Sequence, residues 1–396
     1  MLLAGLKILD FTYLLPGPLA TMTLADLGAE VLKVESPTKI DLVRLIPPFV
    51  DKEGKISCVH AYLNRNKRSL ALDLKHPSSA EIIARLIKEQ GYNIVAEQFR
   101  PGVMERLGLS YERLSKIQPD IIYCSITGYG QTGPWKDRAG HDINYLSLSG
   151  VMGYSGKADT GPTLMGIQVA DVAGSFNTVI GILAAVIHRT KSSEGQHVDI
   201  AMTDCLFPYH ALTGTRSLSG DREPAYETEL LNGGSLYGFF ETADEKYLSF
   251  GGLEQQFSTE FFKVLGLPDL IEGGVMQFAG LEEAKKRVRA IIRSQSLNHW
   301  IERFKAADAC VEPVLSFSEA IESNHVLERG LVVHVPGPDE KKIRQIACPL
   351  KLSHGAPEYR WAGCALGRDN DEIMQSLGFN ADEIGDMKAR GLFGTV

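Results

Sequence analysis

The sequence predicts an α/β fold, with a largely parallel sheet in a large domain and a smaller α+β domain inserted toward the C-terminal side. Three observations carry this. Over the first 130 residues, short apolar runs alternate with helical patterns, the signature of strands joined by helical crossovers. Beyond residue 215 the texture changes to polar, Gly-containing stretches around two short strand-like runs, followed by helices. The length, 396 residues, exceeds one typical compact domain and suggests two.

Leu6 to Phe11 reads as the first strand, then a turn at Pro16-Gly17-Pro18 and a helical stretch to Leu27. Ala29 to Val34, Ser69 to Leu74, Asn93 to Phe99 and Asp120 to Ile126 read as further strands. Ile82, Ile83, Leu86 and Ile87 recur at helical spacing behind the capping residues Ser78 and Ser79. Val172 to Ile187 is almost wholly apolar or small, but shorter than the roughly 20 residues of a membrane span. Asp171 and Arg189 bracket it, so it reads as a buried core helix. In the smaller domain, Leu236 to Phe240 and Tyr247 to Phe250 read as strands. Glu260 to Leu265, Glu282 to Arg293 and Asn298 to Ala306 read as helices. The texture divides the chain into a large domain at 1–215, a small domain at 225–335, and a tail of mixed structure at 336–396.

Hydrophobic residues make up 44% and charged residues 23% of the chain, which allows a sizeable core. The net charge of −8 argues against nucleic acid or anionic lipid as a partner, so an anionic ligand needs local basic residues. The six cysteines show no C-x-x-C or zinc spacing, which predicts free thiols, a cytoplasmic setting and no bound metal. Neither the N-terminus nor Gly394-Thr395-Val396 reads as a targeting signal.

Several motifs could carry chemistry. Gly128-Tyr129-Gly130-Gln131-Thr132-Gly133 fits the glycine fingerprint of dinucleotide sites. Pro134 and Trp135, rather than an apolar helix, follow it, so a tight loop explains it better. Lys67 and Arg68 in the run Asn64–Arg68, and Arg100 before Pro101-Gly102, suit either phosphate binding or a solvated edge. His141, in Gly140-His141-Asp142-Ile143-Asn144-Tyr145, is a candidate acid or base, although a His beside an Asp is commonly a structural pair. Asp171 opens the long apolar helix, where an acidic residue is favoured whether or not it reacts. Glu254 follows Gly251-Gly252, which would let a ligand approach the backbone.

Taken together, these residues are similar to the family III CoA-transferase (CaiB/BaiF) superfamily. The likeness rests on Pro16-Gly17-Pro18 with Leu24–Val31, Asn66-Lys67-Arg68-Ser69, Arg100-Pro101-Gly102-Val103 and Gly195–Asp199. Gly140–Tyr145, Gly252–Phe257 and Asp308–Val314 resemble the α-methylacyl-CoA racemase branch. The resemblance implies a Rossmann-like large domain to which 336–396 returns, a small domain, and an interlocked homodimer with its site at the domain interface. It implies His141 and Asp171 as the catalytic pair for racemising 2-methylacyl-CoA thioesters, an activity of lipid metabolism, with Glu254 holding His141. It places Lys67, Arg68 and Arg100 at the CoA phosphates and Tyr145 near the thioester. CoA enters as part of the substrate, and no other cofactor is implied. The alternative is a CoA-transferase with Asp171 as nucleophile. Two departures stand out: Val172-Ala173-Gly174-Ser175 replaces a glycine-rich run, and Ser36 stands where some racemases place an Arg near the CoA.

Overall fold

Six strands, all parallel, form the principal sheet of the computed structural model, which describes residues 1–273 and 280–394. Thr395 and Val396 of the C-terminal tripeptide lie outside the described residues. The strands are β1 (Lys7–Phe11), β2 (Glu30–Glu35), β3 (Lys67–Ala71), β4 (Ile94–Glu97), β5 (Ile122–Thr127) and β6 (Gln196–Ala201). Their spatial order is β3-β2-β1-β4-β5-β6. Side chains alternate across the sheet. Ile8, Val31, Ile94 and Ile122 face one way, and Leu9, Leu32, Leu70 and Val95 the other; all are buried. Both faces are covered, so the strands read as continuous apolar runs.

On one face lie α1 (Pro16–Asp26) and, later in the chain, the long apolar helix α4 (Val169–Ser192). On the other lies α2 (Ser79–Gln90), whose Ile82, Ile83, Leu86 and Ile87 join the core. The Pro16-Gly17-Pro18 segment is the first turn of α1, not a turn before it. Proline is well placed there, because the first helical amides have no partner within the helix. The short α3 (Asp142–Leu148) precedes α4.

α4 corrects the expectation of a wholly buried helix. It has the length and composition to cross a membrane, but it packs Ala170, Ala173, Gly174, Thr178, Ile182 and Ala185 inward. Phe176, Ile180 and Ile187 are exposed on it.

The chain divides into two compact units. The first contains Met1–Leu146, Ile167–Phe207 and His325–Val396. The second contains Ser147–Gly166 and Pro208–Asn324, so it takes in a segment that the sequence reading left in the large domain. Within the second unit β7 (Gly238–Glu241), β8 (Tyr247–Phe250) and β9 (Val311–Pro313) form an antiparallel sheet in the order β9-β8-β7. The helices α5 (Gln255–Leu265), α6 (Leu281–Ile292) and α7 (Leu297–Phe304) pack on it through a largely aromatic core. Phe250 and Phe261 stack there with centroids 3.9 Å apart.

Candidate active site

A cavity of about 280 Å³ opens in the first unit just beyond the carboxyl ends of β1, β4, β5 and β6. This is where ligands bind in open parallel sheets. His141, Asp171, Tyr145 and Arg100 all line it.

His141 sits immediately before α3, and its carbonyl accepts from the amides of Asn144 and Tyr145 at 2.8 and 3.3 Å. Asp171 is in the first turn of α4 and half-buried. The link between the two is Asp142. Its Oδ1 accepts from the amides of Ala170 at 2.6 Å and Asp171 at 3.2 Å. The residue preceding α4, Gln168, makes no side-chain capping bond, so the cap of α4 comes from the segment that carries His141. Burial pushes the Asp171 carboxyl up to about 6, and the Asp142 charge adds to this while His141 opposes it. With Asp142 on the amides of Ala170 and Asp171, these two are not free to hold a substrate oxygen.

Tyr145 is wedged between two glycines. A Cβ on Gly128 would lie 2.4 Å from the Tyr145 ring, and one on Gly140 would lie 2.7 Å from it. The hydroxyl donates to the Gly140 carbonyl at 2.6 Å, and the ring meets Tyr129 edge-on at 5.2 Å. Gly128 therefore makes room for an aromatic wall rather than for a pyrophosphate. The loop's amides are also committed, Gly130 to Thr127 Oγ1 and Gln131 to the Asp199 carboxylate, both at 2.9 Å. A loop whose amide already holds a carboxylate is not an anion cradle.

The basic residues separate into two groups. Arg100 lines the cavity, joined by Lys136 and Arg138, which no sequence motif marks. Among the described residues none of these three is in an ion pair. Lys67 is different. It is fully buried, with Nζ 3.0 Å from each of Asp10 Oδ2, the Pro18 carbonyl and Asn64 Oδ1. Three acceptors use all its donors, so Lys67 is a structural cation and not a phosphate ligand. Arg68, the next residue, is likewise at the start of β3, the end away from this cavity, and pairs with Glu372 at 3.0 Å.

Glu254 belongs to the second unit, where it is exposed and immediately precedes α5. Gly252 beside it is required by packing, since a Cβ there would be 2.8 Å from Phe250 and 2.9 Å from Phe257. The two departures also have structural accounts. Ser175 Oγ donates to the Pro16 carbonyl at 2.6 Å and ties α4 to α1. Ser36 Oγ accepts from the Lys39 amide at 3.1 Å and closes a turn.

Gln98 went unnoticed in the sequence. Its Oε1 accepts from the Gly17 amide at 3.1 Å, which fixes the side chain at the cavity wall. Only its position two residues before Arg100 could have signalled it.

A histidine and a carboxylic acid at the strand ends of a parallel sheet, beside unpaired cations, define an α/β enzyme with acid–base groups in its site. The chain belongs to CoA-transferase family III, whose sequence profile matches residues 3–370. It is 33% identical to the α-methylacyl-CoA racemase of Homo sapiens over 388 residues, which cover 97% of this chain and 95% of that one. It is 34% identical to the succinyl-CoA:glutarate CoA-transferase of Homo sapiens over 398 residues, covering 98% and 89%. A crystal structure of a CaiB/BaiF family protein from Brucella suis matches with a TM-score of 0.81 at 27% identity, covering 95% of this chain and 99% of that one.

Proposed function

We propose that this chain epimerises 2-methylacyl-CoA thioesters by exchanging the α-proton through an enolate. The observation that carries the reading is that His141 and Asp171 line one cavity, with the Asp171 carboxyl pushed up to about 6. Inversion needs one group to remove the proton and another to return one on the opposite face. A carboxyl that titrates near neutrality can serve in either protonation state, as can an imidazole. Arg100, Lys136 and Arg138 supply the local positive charge that a CoA polyanion needs on a chain of net charge −8. With two amides of α4 committed to Asp142, the Gln98 amide, oriented by its bond to Gly17, is the donor we assign to the enolate oxygen.

A second reading, CoA transfer between carboxylic acids with Asp171 as nucleophile, is favoured by the 34% identity to a CoA-transferase. It asks less of His141 and requires Asp171 ionised, which burial opposes. We also propose a homodimer, supported by the exposed Phe176, Ile180 and Ile187 of α4.

Incubating each 2-methylacyl-CoA epimer in D₂O and following the α-position by NMR tests the first reading. The wild type should incorporate deuterium from both epimers. His141→Ala and Asp171→Ala should each lose inversion by about 10²- to 10⁴-fold. Inversion by His141→Ala at the wild-type rate would sink the racemase reading. An acyl adduct on Asp171, seen by mass spectrometry with a carboxylate acceptor present, would put the transferase in its place.

A further inference from the structure

A second and larger cavity, of about 660 Å³, lies in the first unit at the other edge of the same sheet. Its wall includes Lys7 and Glu30, which start β1 and β2, and Arg68 near the start of β3. The strands are parallel, so this edge is opposite the one that holds His141 and Asp171.

The cavity wall carries four basic side chains, Lys7, Arg68, Arg360 and Arg368, against three acidic ones, Glu30, Asp369 and Glu372. Three of the cations are paired. Lys7 meets Glu30 at 3.4 Å, Arg68 meets Glu372 at 3.0 Å, and Arg368 meets Asp369 at 3.0 Å. Arg360 is the excess charge. Its Nε is enclosed with no acceptor among the described residues, and the guanidinium lies 4.7 Å from the centre of the Trp361 ring. Arg68 Nη2 is likewise enclosed and, although close to Glu372, is out of hydrogen-bond alignment.

Arg360 is also held in advance. Its amide donates to Asn66 Oδ1 at 2.8 Å, and the Asn66 amide donates to the Trp361 carbonyl at 2.9 Å. Trp361 Nε1 donates to the Lys67 carbonyl at 3.0 Å. Asn66 is buried and takes a left-handed φ of +63°, a conformation sustained by these bonds. The sequence thus fixes an arginine, with its permanent charge and five donors, beside a cavity whose three carboxylates pair with other cations. Arginine in that setting suits bidentate capture of a phosphate. The volume falls in the range of small-molecule sites and exceeds what a bare phosphate fills, so the ligand carries an organic group.

The geometry points to a binding site for a phosphate monoester in this cavity, anchored by Arg360 and supported by Arg368. It is separate from the acid–base cavity and does not depend on which reaction that cavity performs.

Calorimetric titration of the full chain with ribose 5-phosphate, inorganic phosphate and ribose tests the site. Ribose 5-phosphate should bind saturably, inorganic phosphate more weakly, and ribose not at all. Arg360→Gln should weaken ribose 5-phosphate binding by about 10- to 100-fold, the scale of a charge-assisted contact. Arg100→Ala, in the other cavity, should leave it within about twofold, because that contact is absent from this site. If circular dichroism shows Arg360→Gln misfolded, Arg368→Gln decides, with a weakening of about threefold or more expected of an exposed cation. The proposal fails if the wild type binds neither phosphate compound, or if the deciding variant binds as the wild type does. It also fails if Arg100→Ala abolishes binding, since the phosphate would then occupy the acid–base cavity.

Discussion

Two sets of carboxylates in the first unit, both withdrawn from water, behave oppositely. Burial pushes the Asp10 carboxyl up, but Lys67 and Lys33, with the hydroxyls of Thr12 and Thr21, outweigh it and hold the group well below the usual range. Glu35 goes the same way, to about 2, because Lys33 and Arg44 overcome its burial. Glu97 ends β4 and is buried beside the Ser125 hydroxyl and the Phe99 amide; desolvation carries it up to about 7. Asp171 reaches about 6 with only His141 to counter its burial and the Asp142 charge. The residue type and the loss of water are shared by the two sets. Among these four, a cation in contact separates the carboxylates fixed in the scaffold from those that can exchange protons near neutrality.

Removing the cation from the first set is the severest test of this contrast. Lys67→Met should leave Asp10 buried without its partner and cost about 3–5 kcal/mol in urea unfolding. Asp171→Asn should cost far less, because it removes a group whose charge the fold does not neutralise. Equal losses for the two variants would erase the distinction.

Glu97→Gln sharpens it through pH. The folded carboxyl titrates at about 7, above its ordinary 4.5, so the folded state holds the proton more tightly than the unfolded chain does. The stability this contributes is fully present below about pH 4.5 and is lost as pH rises through 7. Relative to the wild type, Glu97→Gln should gain on the order of 3 kcal/mol at pH 8 and nothing at pH 4. A difference independent of pH, measured by denaturation across that window, would show that Glu97 is already ionised in the fold.

The smallest effect belongs to Asp142→Asn. The amide oxygen can still accept from Ala170 and Asp171, while the charge that helps raise Asp171 is gone. The acidic limb of the deuterium-exchange rate should move to lower pH, with little change in the thermal midpoint. An unmoved limb would leave burial as the sole cause of the raised carboxyl.

The sequence disclosed the parallel layers and two of the residues that line the cavity, His141 and Asp171, because each carries a local mark. The sheet announces itself in alternation of runs such as Lys7–Phe11 and Glu30–Glu35 with helical stretches, and the boundaries of these strands shifted by no more than three residues. β6 (Gln196–Ala201) carries no such mark; charged and polar residues interrupt it, and its pairing to β5 is set by the fold. Lys67 and Arg68 looked alike as neighbours in a basic run. Strand alternation sent the first into a buried network and the second to the cavity at the strand starts, a division only the register can make. Asp142 was hidden for a related reason. Its partners are backbone amides of Ala170 and Asp171, 28 and 29 residues away, and a backbone amide has no letter in the sequence.

The Tyr145 wedge sets a rule for substitution in this chain. Gly128 and Gly140 lie on separate segments, yet the same ring occupies the space that a methyl group on either would need. Alanine at one of them cannot be accommodated by adjusting the other; the only relief is a smaller residue at position 145, which would also release the Gly140 carbonyl from its hydroxyl. Filling Gly128 or Gly140 therefore needs a change at Tyr145 first. A lineage that trades the tyrosine away could fill Gly128, but at Gly140 a methyl group would still meet the Tyr129 hydroxyl at 2.8 Å.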